Sequence, residues 1–191
     1  MALYDLMGKH AGLPAASFLG PVLRTKVLVS YWSGCYPPEV SRAEAQRAVD
    51  LGFRAHKIKR RPLFDIVEQV EAMSEVVPED YSVTIDSNAS LWTSDRAIAV
   101  AKELERFPII HGLETPIPQD DVEGYQRLRA KLDHQIILDR PIDYWMSVTN
   151  NMCDGFKLGD PKKEGPAQIR RLAALADAAG HIPFFMDSGS L

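Results

Sequence analysis

Ala55-His56-Lys57-Ile58-Lys59 alternates in the manner of a strand and ends on two lysines, and the recurrence of that kind of ending decides the fold. Further along, Ser82-Val83-Thr84-Ile85-Asp86 runs into Ser87-Asn88, Gly112-Leu113-Glu114 into Thr115-Pro116, and Ile136-Ile137-Leu138 into Asp139. From Lys59 the steps are 27 residues to Asp86, 28 to Glu114 and 25 to Asp139, and 18 more reach Lys157 in Asp154-Gly155-Phe156-Lys157. A step of that size holds one strand, one helix and two loops. Charged groups at the carboxyl ends of successive parallel strands converge on one mouth, where α/β proteins keep their chemistry. Three carboxylates flanked by lysines at one mouth point to a divalent metal site with bases beside it.

Outward from these clusters, strands and helices alternate. Strands are expected over 26–31, 55–59, 82–86, 109–114, 135–138, 155–158 and 183–186. Residues 2–9 read as a helix ending at Gly12. Ser41 with Glu44, and Asp120 with Glu123, read as capping boxes that open two more. Behind Pro62, apolar residues at 63, 66, 67, 70 and 73 give helical spacing. Helices are also expected over 94–106, over 142–148 and from Pro166 to Gly180. Alternation at this spacing calls for parallel pairing and right-handed crossovers. The absence of a Gly-x-Gly-x-x-Gly turn favours a parallel (β/α) TIM-type barrel over a dinucleotide-binding sheet. Such a barrel takes about 250 residues and eight strands. This chain therefore reads as an incomplete barrel, part of a larger protein or closed by something outside the sequence.

Composition sets the limits. With 191 residues, 46% of them hydrophobic, the chain buries one sizeable core. A net charge of −4 argues against nucleic-acid binding, which needs a basic face. Two cysteines, Cys35 and Cys153, make no disulfide framework, and no apolar run spans a bilayer, so a cytoplasmic protein without a membrane partner is expected. The five histidines, His10, His56, His111, His134 and His181, show no metal-ligand spacing. Trp92, Tyr144, Trp145 and Met146 read as packing or rim residues.

Each charged cluster has a plainer reading as well. Lys57 and Lys59 share one face of their strand, where two ammonium groups would lower each other's pKa and make one a usable base. Alone, beside Arg60 and Arg61, they read first as solvated surface lysines. Asp86 and Asn88 repeat the two-residue spacing and offer hard oxygens of the type magnesium prefers. Glu114 lies before Thr115-Pro116-Ile117-Pro118, where prolines end the strand. Any one acid is commonly a loop cap or an ion-pair partner; three in register on consecutive strands carry the metal reading.

Lys57-x-Lys59, Asp86-x-Asn88, Glu114-x-Pro116 and Asp139 on successive strands resemble the enolase superfamily, in its mandelate racemase and muconate lactonizing group. Ala2-Leu3-Tyr4-Asp5-Leu6-Met7-Gly8-Lys9 with Phe18-Leu19-Gly20 resembles the last helix of that group's N-terminal capping domain. The resemblance implies residues 1–20 as a capping-domain remnant and 21–191 as a (β/α)7β barrel lacking its last helix and strand. It implies Mg2+, with Mn2+ as the alternative, held by Asp86, Glu114 and Asp139. Lys59 would be a general base, Lys57 and Asn88 substrate contacts, and Lys157 the base or acid on the opposite substrate face. The implied reaction removes the proton next to a carboxylate. The resulting enediolate leads to racemisation, epimerisation, cycloisomerisation or dehydration of a small carboxylic acid, in a homo-oligomer. Two departures stand out. Arg140 follows Asp139 where the group's pattern continues with an acid, and Met186-Asp187-Ser188 supplies no histidine partner for Asp154. The alternative is a truncated, non-catalytic relative that keeps the metal-site residues without turnover.

Overall fold

A computed structural model describes residues 2–21 and 25–185. Among them are seven strands: β1 (Tyr31–Ser33), β2 (Ala55–Lys59), β3 (Ser82–Asp86), β4 (Ile110–Glu114), β5 (Gln135–Asp139), β6 (Gly155–Lys157) and β7 (Ile182–Phe184). They alternate with α1 (Ala2–Ala11), α2 (Pro38–Asp50), α3 (Ile66–Ser74), α4 (Ser94–Leu104), α5 (Val122–Lys131), α6 (Tyr144–Thr149), α7 (Pro161–Glu164) and α8 (Pro166–Ala178). The class is α/β, with the parallel strands of an incomplete TIM-type barrel.

The chain divides into two compact units. The larger, Leu28–Asp154, holds β1 to β5 in chain order, every neighbouring pair parallel. Its core lies between sheet and helices: Ile58, Val83 and Ile85 from strands meet Val70, Met73, Ala97, Ala101 and Leu104 from α3 and α4, all buried. The smaller unit holds α1, α7 and α8 with β6 and β7, which pair in parallel with Gly155 opposite Ile182 and Lys157 opposite Phe184. Among the described residues no helix is long and apolar enough to cross a membrane.

Four helix starts are set by side-chain oxygens that take up free amides. Asp65 accepts from Val67 N, Thr93 from Arg96 N, Asp121 from Gly124 N and Asp143 from Met146 N. Two of these caps, and the start of α2, correct three expectations. α3 opens at Asp65, which leaves Leu63 exposed ahead of it. α5 is capped by Asp121, one residue after Asp120, and Gly124 is the residue that permits it: a Cβ there would collide with the Asp121 carboxylate. α2 opens behind Pro37 with Pro38 at its first turn, so Ser41 is already inside the helix and donates to Tyr36 O, while Glu44 accepts from Tyr31 Oη. Asp121→Ala should lower stability by about 1 kcal/mol, read as a lower urea midpoint at unchanged slope.

The first strand is also shorter and later than its apolar run suggests. Among the described residues only 31–33 pair, opposite His56, Lys57 and Ile58, while Val27, Leu28 and Val29 are 74%, 73% and 58% exposed. Those three residues are exposed and have no pairing partner among the described residues, so β-propensity alone does not make them strand. The seventh strand ends at Phe184, and Met186 to Ser188 lie outside the described residues. The short α7 is an addition to the expected elements.

Candidate active site

The sheet registers bring the charged residues of the larger unit together. Lys59 stands opposite Asp86, and Asp86 opposite Glu114. The second alignment depends on a slip between Val83 and Thr84: Val83 faces Ile110, but Thr84 faces Gly112, so His111 is an extra residue in β4. Such a bulge re-aims the side chains beyond it. Asp139 is placed differently from expectation. Glu114 pairs with Ile137, which puts Asp139 two residues further along its strand, so the three carboxylates are not in one register. Stagger of this kind belongs to barrel closure, where neighbouring strands are sheared.

Lys57 is the centre of the cluster. Its Nζ lies 2.8 Å from Asp86 Oδ2 and 2.8 Å from Glu114 Oε1, and both carboxylates are buried. Lys59 Nζ also donates to Asp86 Oδ2, and to Asn88 Oδ1 at 2.9 Å. Asn88 N donates to Asp86 Oδ1 at 3.1 Å, and Arg61 donates to Asn88 Oδ1 at 2.6 Å. Burial alone would lower the Lys57 pKa, but the Glu114 and Asp86 carboxylates outweigh it and hold the ammonium well above its usual range. Burial likewise opposes ionisation of Asp86, yet Lys57 first and Lys59 next bring its pKa down to about 2. The mutual lowering expected of the two lysines is therefore not the effect that governs Lys57. Two carboxylates in direct contact outweigh one neighbouring ammonium.

Asp139 is held by Arg140, whose Nε and Nη2 reach Asp139 Oδ1 and Oδ2 at 3.2 and 3.1 Å. Among the described residues no three His, Cys, Asp or Glu side chains are gathered closely enough to hold an ion as they stand. Two of the three proposed ligands are gathered. Asp86 and Glu114 already hold one cation between them, the Lys57 ammonium, and their oxygens are of the hard type that suits Mg2+. A metal there would need ligands near about 2.1 Å, Lys57 displaced and Asp139 released from Arg140. Lys157, buried on β6, belongs to the smaller unit.

Three residues passed over in the sequence take part. Arg60 is buried and donates to Ser90 O and Oγ at 2.8 and 2.9 Å, holding the loop after Asp86. Arg61 reaches Asn88, as above. Thr115 accepts from Asp139 N at 2.9 Å. Adjacent arginines after a strand read as solvated charge, and only the left-handed turn at Asn88 and Ala89 folds the loop back onto them. His56 faces the helix layer as expected, between Ser33 Oγ at 2.8 Å and Tyr81 Oη at 3.4 Å.

Residues 40–190 match the family described as Enolase C-terminal domain-like. The chain belongs to the enolase superfamily, in its mandelate racemase and muconate lactonizing group. Within that superfamily it is 29% identical to muconate cycloisomerase 1 of Pseudomonas putida over 94% of this chain and 49% of that protein. It is 31% identical to arabinonate dehydratase of Saccharolobus solfataricus over 69% of this chain and 36% of that protein. The crystal structure of a dipeptide epimerase from Enterococcus faecalis, complexed with Mg and L-Leu-L-Tyr, superposes with a TM-score of 0.85 at 26% identity. That superposition covers 95% of this chain and 52% of the epimerase. Superfamily members of this group are racemases, epimerases, cycloisomerases and dehydratases. The chain spans about half the length of the curated relatives it matches from end to end.

Proposed function

We propose that this barrel portion serves an Mg2+-dependent enzyme, with Mn2+ as a substitute, that removes the proton next to the carboxylate of a small acid. The observation that carries the reading is one cationic seat between Asp86 and Glu114, occupied here by Lys57, with Lys59 on the same face. Asp86, Glu114 and Asp139 would hold the metal, which when bound supplies positive charge to stabilise the negative charge that develops on the substrate carboxylate. The remaining work falls to the chain's own groups. In its neutral amine form Lys59 Nζ takes the proton and becomes the ammonium, oriented by its bond to Asn88 Oδ1. Lys57, once it leaves the two carboxylates, is a fixed cation that binds the substrate carboxylate, and Asn88 adds a further substrate contact. Lys157 holds or delivers a proton on the opposite substrate face.

The substrate class follows relatives that act on dipeptides and acid sugars; racemisation, epimerisation, cycloisomerisation and dehydration share the first step. We place residues 1–20 with a capping segment and 21–191 with the barrel, in a cytoplasmic homo-oligomer. A second reading, a relative that keeps these residues without turnover, has one observation in its favour: the two-pronged hold of Arg140 on Asp139.

Titration of the chain with Mn2+, monitored by electron paramagnetic resonance, separates the readings. Binding should occur in the parent and weaken by at least about 10- to 100-fold in Asp86→Asn and in Glu114→Gln, since outer partners of a metal already command that much. A parent that leaves Mn2+ free, or variants that bind it equally well, would sink the metal site. Arg140→Asp should strengthen binding if the arginine competes for Asp139.

A further inference from the structure

Thr115 occupies a backbone conformation that its side chain resists. Its φ is +44°, in the left-handed region, where a β-branched residue is a true outlier. Strain of this kind persists only where the surroundings over-determine it, and here they do. The residue is buried, and each of its polar groups is engaged with a neighbouring strand end. Its N–H donates to Ile137 O on β5 at 2.8 Å, and its carbonyl accepts from Ala89 N, in the loop after β3, at 2.7 Å. Its Oγ1 accepts from Asp139 N at 2.9 Å. Glu114 O accepts from Ser87 N at 3.0 Å immediately before it, and Pro116 O accepts from Leu91 N at 3.1 Å immediately after.

Asp86, Glu114 and Asp139 sit on three different strands, and Asp139 is out of register with the other two. No single ladder can set their spacing. Thr115 comes directly after Glu114, bonds the loop that leaves Asp86, and bonds the amide of Asp139 itself. We propose that Thr115 is the positioning residue of this site, setting where the Asp139 carboxylate stands relative to Asp86 and Glu114. The hydroxyl is the deciding group. The backbone bonds of Thr115 would survive any substitution that tolerates the turn, whereas the bond to Asp139 N requires a side-chain acceptor at this position. The role goes beyond the metal reading and rests on it only for the use to which the carboxylates are put.

The test compares Thr115→Val, which keeps the shape and removes the acceptor, with Thr115→Ser, which keeps the acceptor. Two readouts are taken on the same chain. The first is hydrogen exchange of the Asp139 amide without metal. It should quicken about tenfold in the valine variant, the factor carried by loss of one hydrogen bond, and stay at the parent value in the serine variant. The second is Mn2+ affinity, which should fall about tenfold or more in valine and recover in serine. An Asp139 amide equally protected in all three proteins overturns the proposal, as does a serine variant that behaves like valine in both readouts. If the parent binds no Mn2+, the metal reading fails by itself and the exchange data still decide the role of Thr115. Should the valine variant fail to fold, Thr115→Ala is read against serine in the same way.

Discussion

Lys59→Met should reduce solvent-deuterium uptake at the carbon beside a substrate carboxylate by about 10² to 10⁴-fold, the range lost with one general base. The fold should be unaffected, because Lys59 lines a polar mouth and its ammonium bonds the side-chain oxygens of Asp86 and Asn88. Removing it leaves Asp86 still paired with Lys57, so no buried carboxylate is stranded. Circular dichroism and thermal unfolding should match the parent, while exchange is lost. Undiminished exchange in a folded Lys59→Met protein would remove Lys59 from the role of base. Lys157→Met should separately reduce exchange with substrate of the opposite configuration, because the two lysines are assigned to opposite faces of the reacting carbon.

Acid should destabilise the larger unit through His56. Burial brings its pKa from 6.5 down to about 4, against a weaker upward pull from Glu44. The imidazole is buried with the Ser33 and Tyr81 hydroxyls on its two nitrogens and the Tyr31 and Tyr81 rings edge-on to it, so protonation would place a charge out of water among neutral partners. The folded chain keeps His56 neutral where the unfolded chain already binds a proton. Stability should therefore fall as pH drops from 6.5 towards 4 and change no further on this account below that. At about 1.36 kcal/mol per pH unit the interval amounts to about 3 kcal/mol. Urea unfolding at pH 7 and pH 4 measures it, and His56→Gln should flatten the dependence in that window. Asp86 acts lower: its stabilisation is present above 3.8 and is lost as pH falls towards about 2. A parent whose midpoint holds steady from pH 7 to pH 4 would contradict the assignment to His56.

The fold class is legible because strand ends bear chemistry that strand interiors do not. β2 and β3 fall on the expected residues, since alternation at 55–59 and 82–86 is bounded by clear charged stops. β1 departs from expectation because Val27, Leu28 and Val29 are apolar without being covered, and a sequence shows hydrophobicity, not cover. The helix starts at Asp65 and Asp121 differ from expectation by up to a few residues, since several oxygens near each start could cap and only local geometry selects one. At the site, residue types and their strands are readable. The ionic pattern is not, because it depends on which oxygen each ammonium reaches. Lys57 lies on the shared face that spacing gives it, but its place between Asp86 and Glu114 depends on a pairing that sets those two opposite each other, which spacing alone does not show. Thr115 is hidden for a different reason: a threonine before a proline carries no sign that its backbone will be left-handed.

The extra residue at His111 gives β4 a length reserve of one. Three steps from Val83 to Asp86 on one strand are matched by four from Ile110 to Glu114 on the other. The surplus is taken up at the foot of the pair, before the carboxylates are reached. Deleting His111, which is exposed, should straighten the ladder and still leave Asp86 facing Glu114. A single residue more or less is thus absorbed at the foot, while the acidic pair at the opposite end keeps its address.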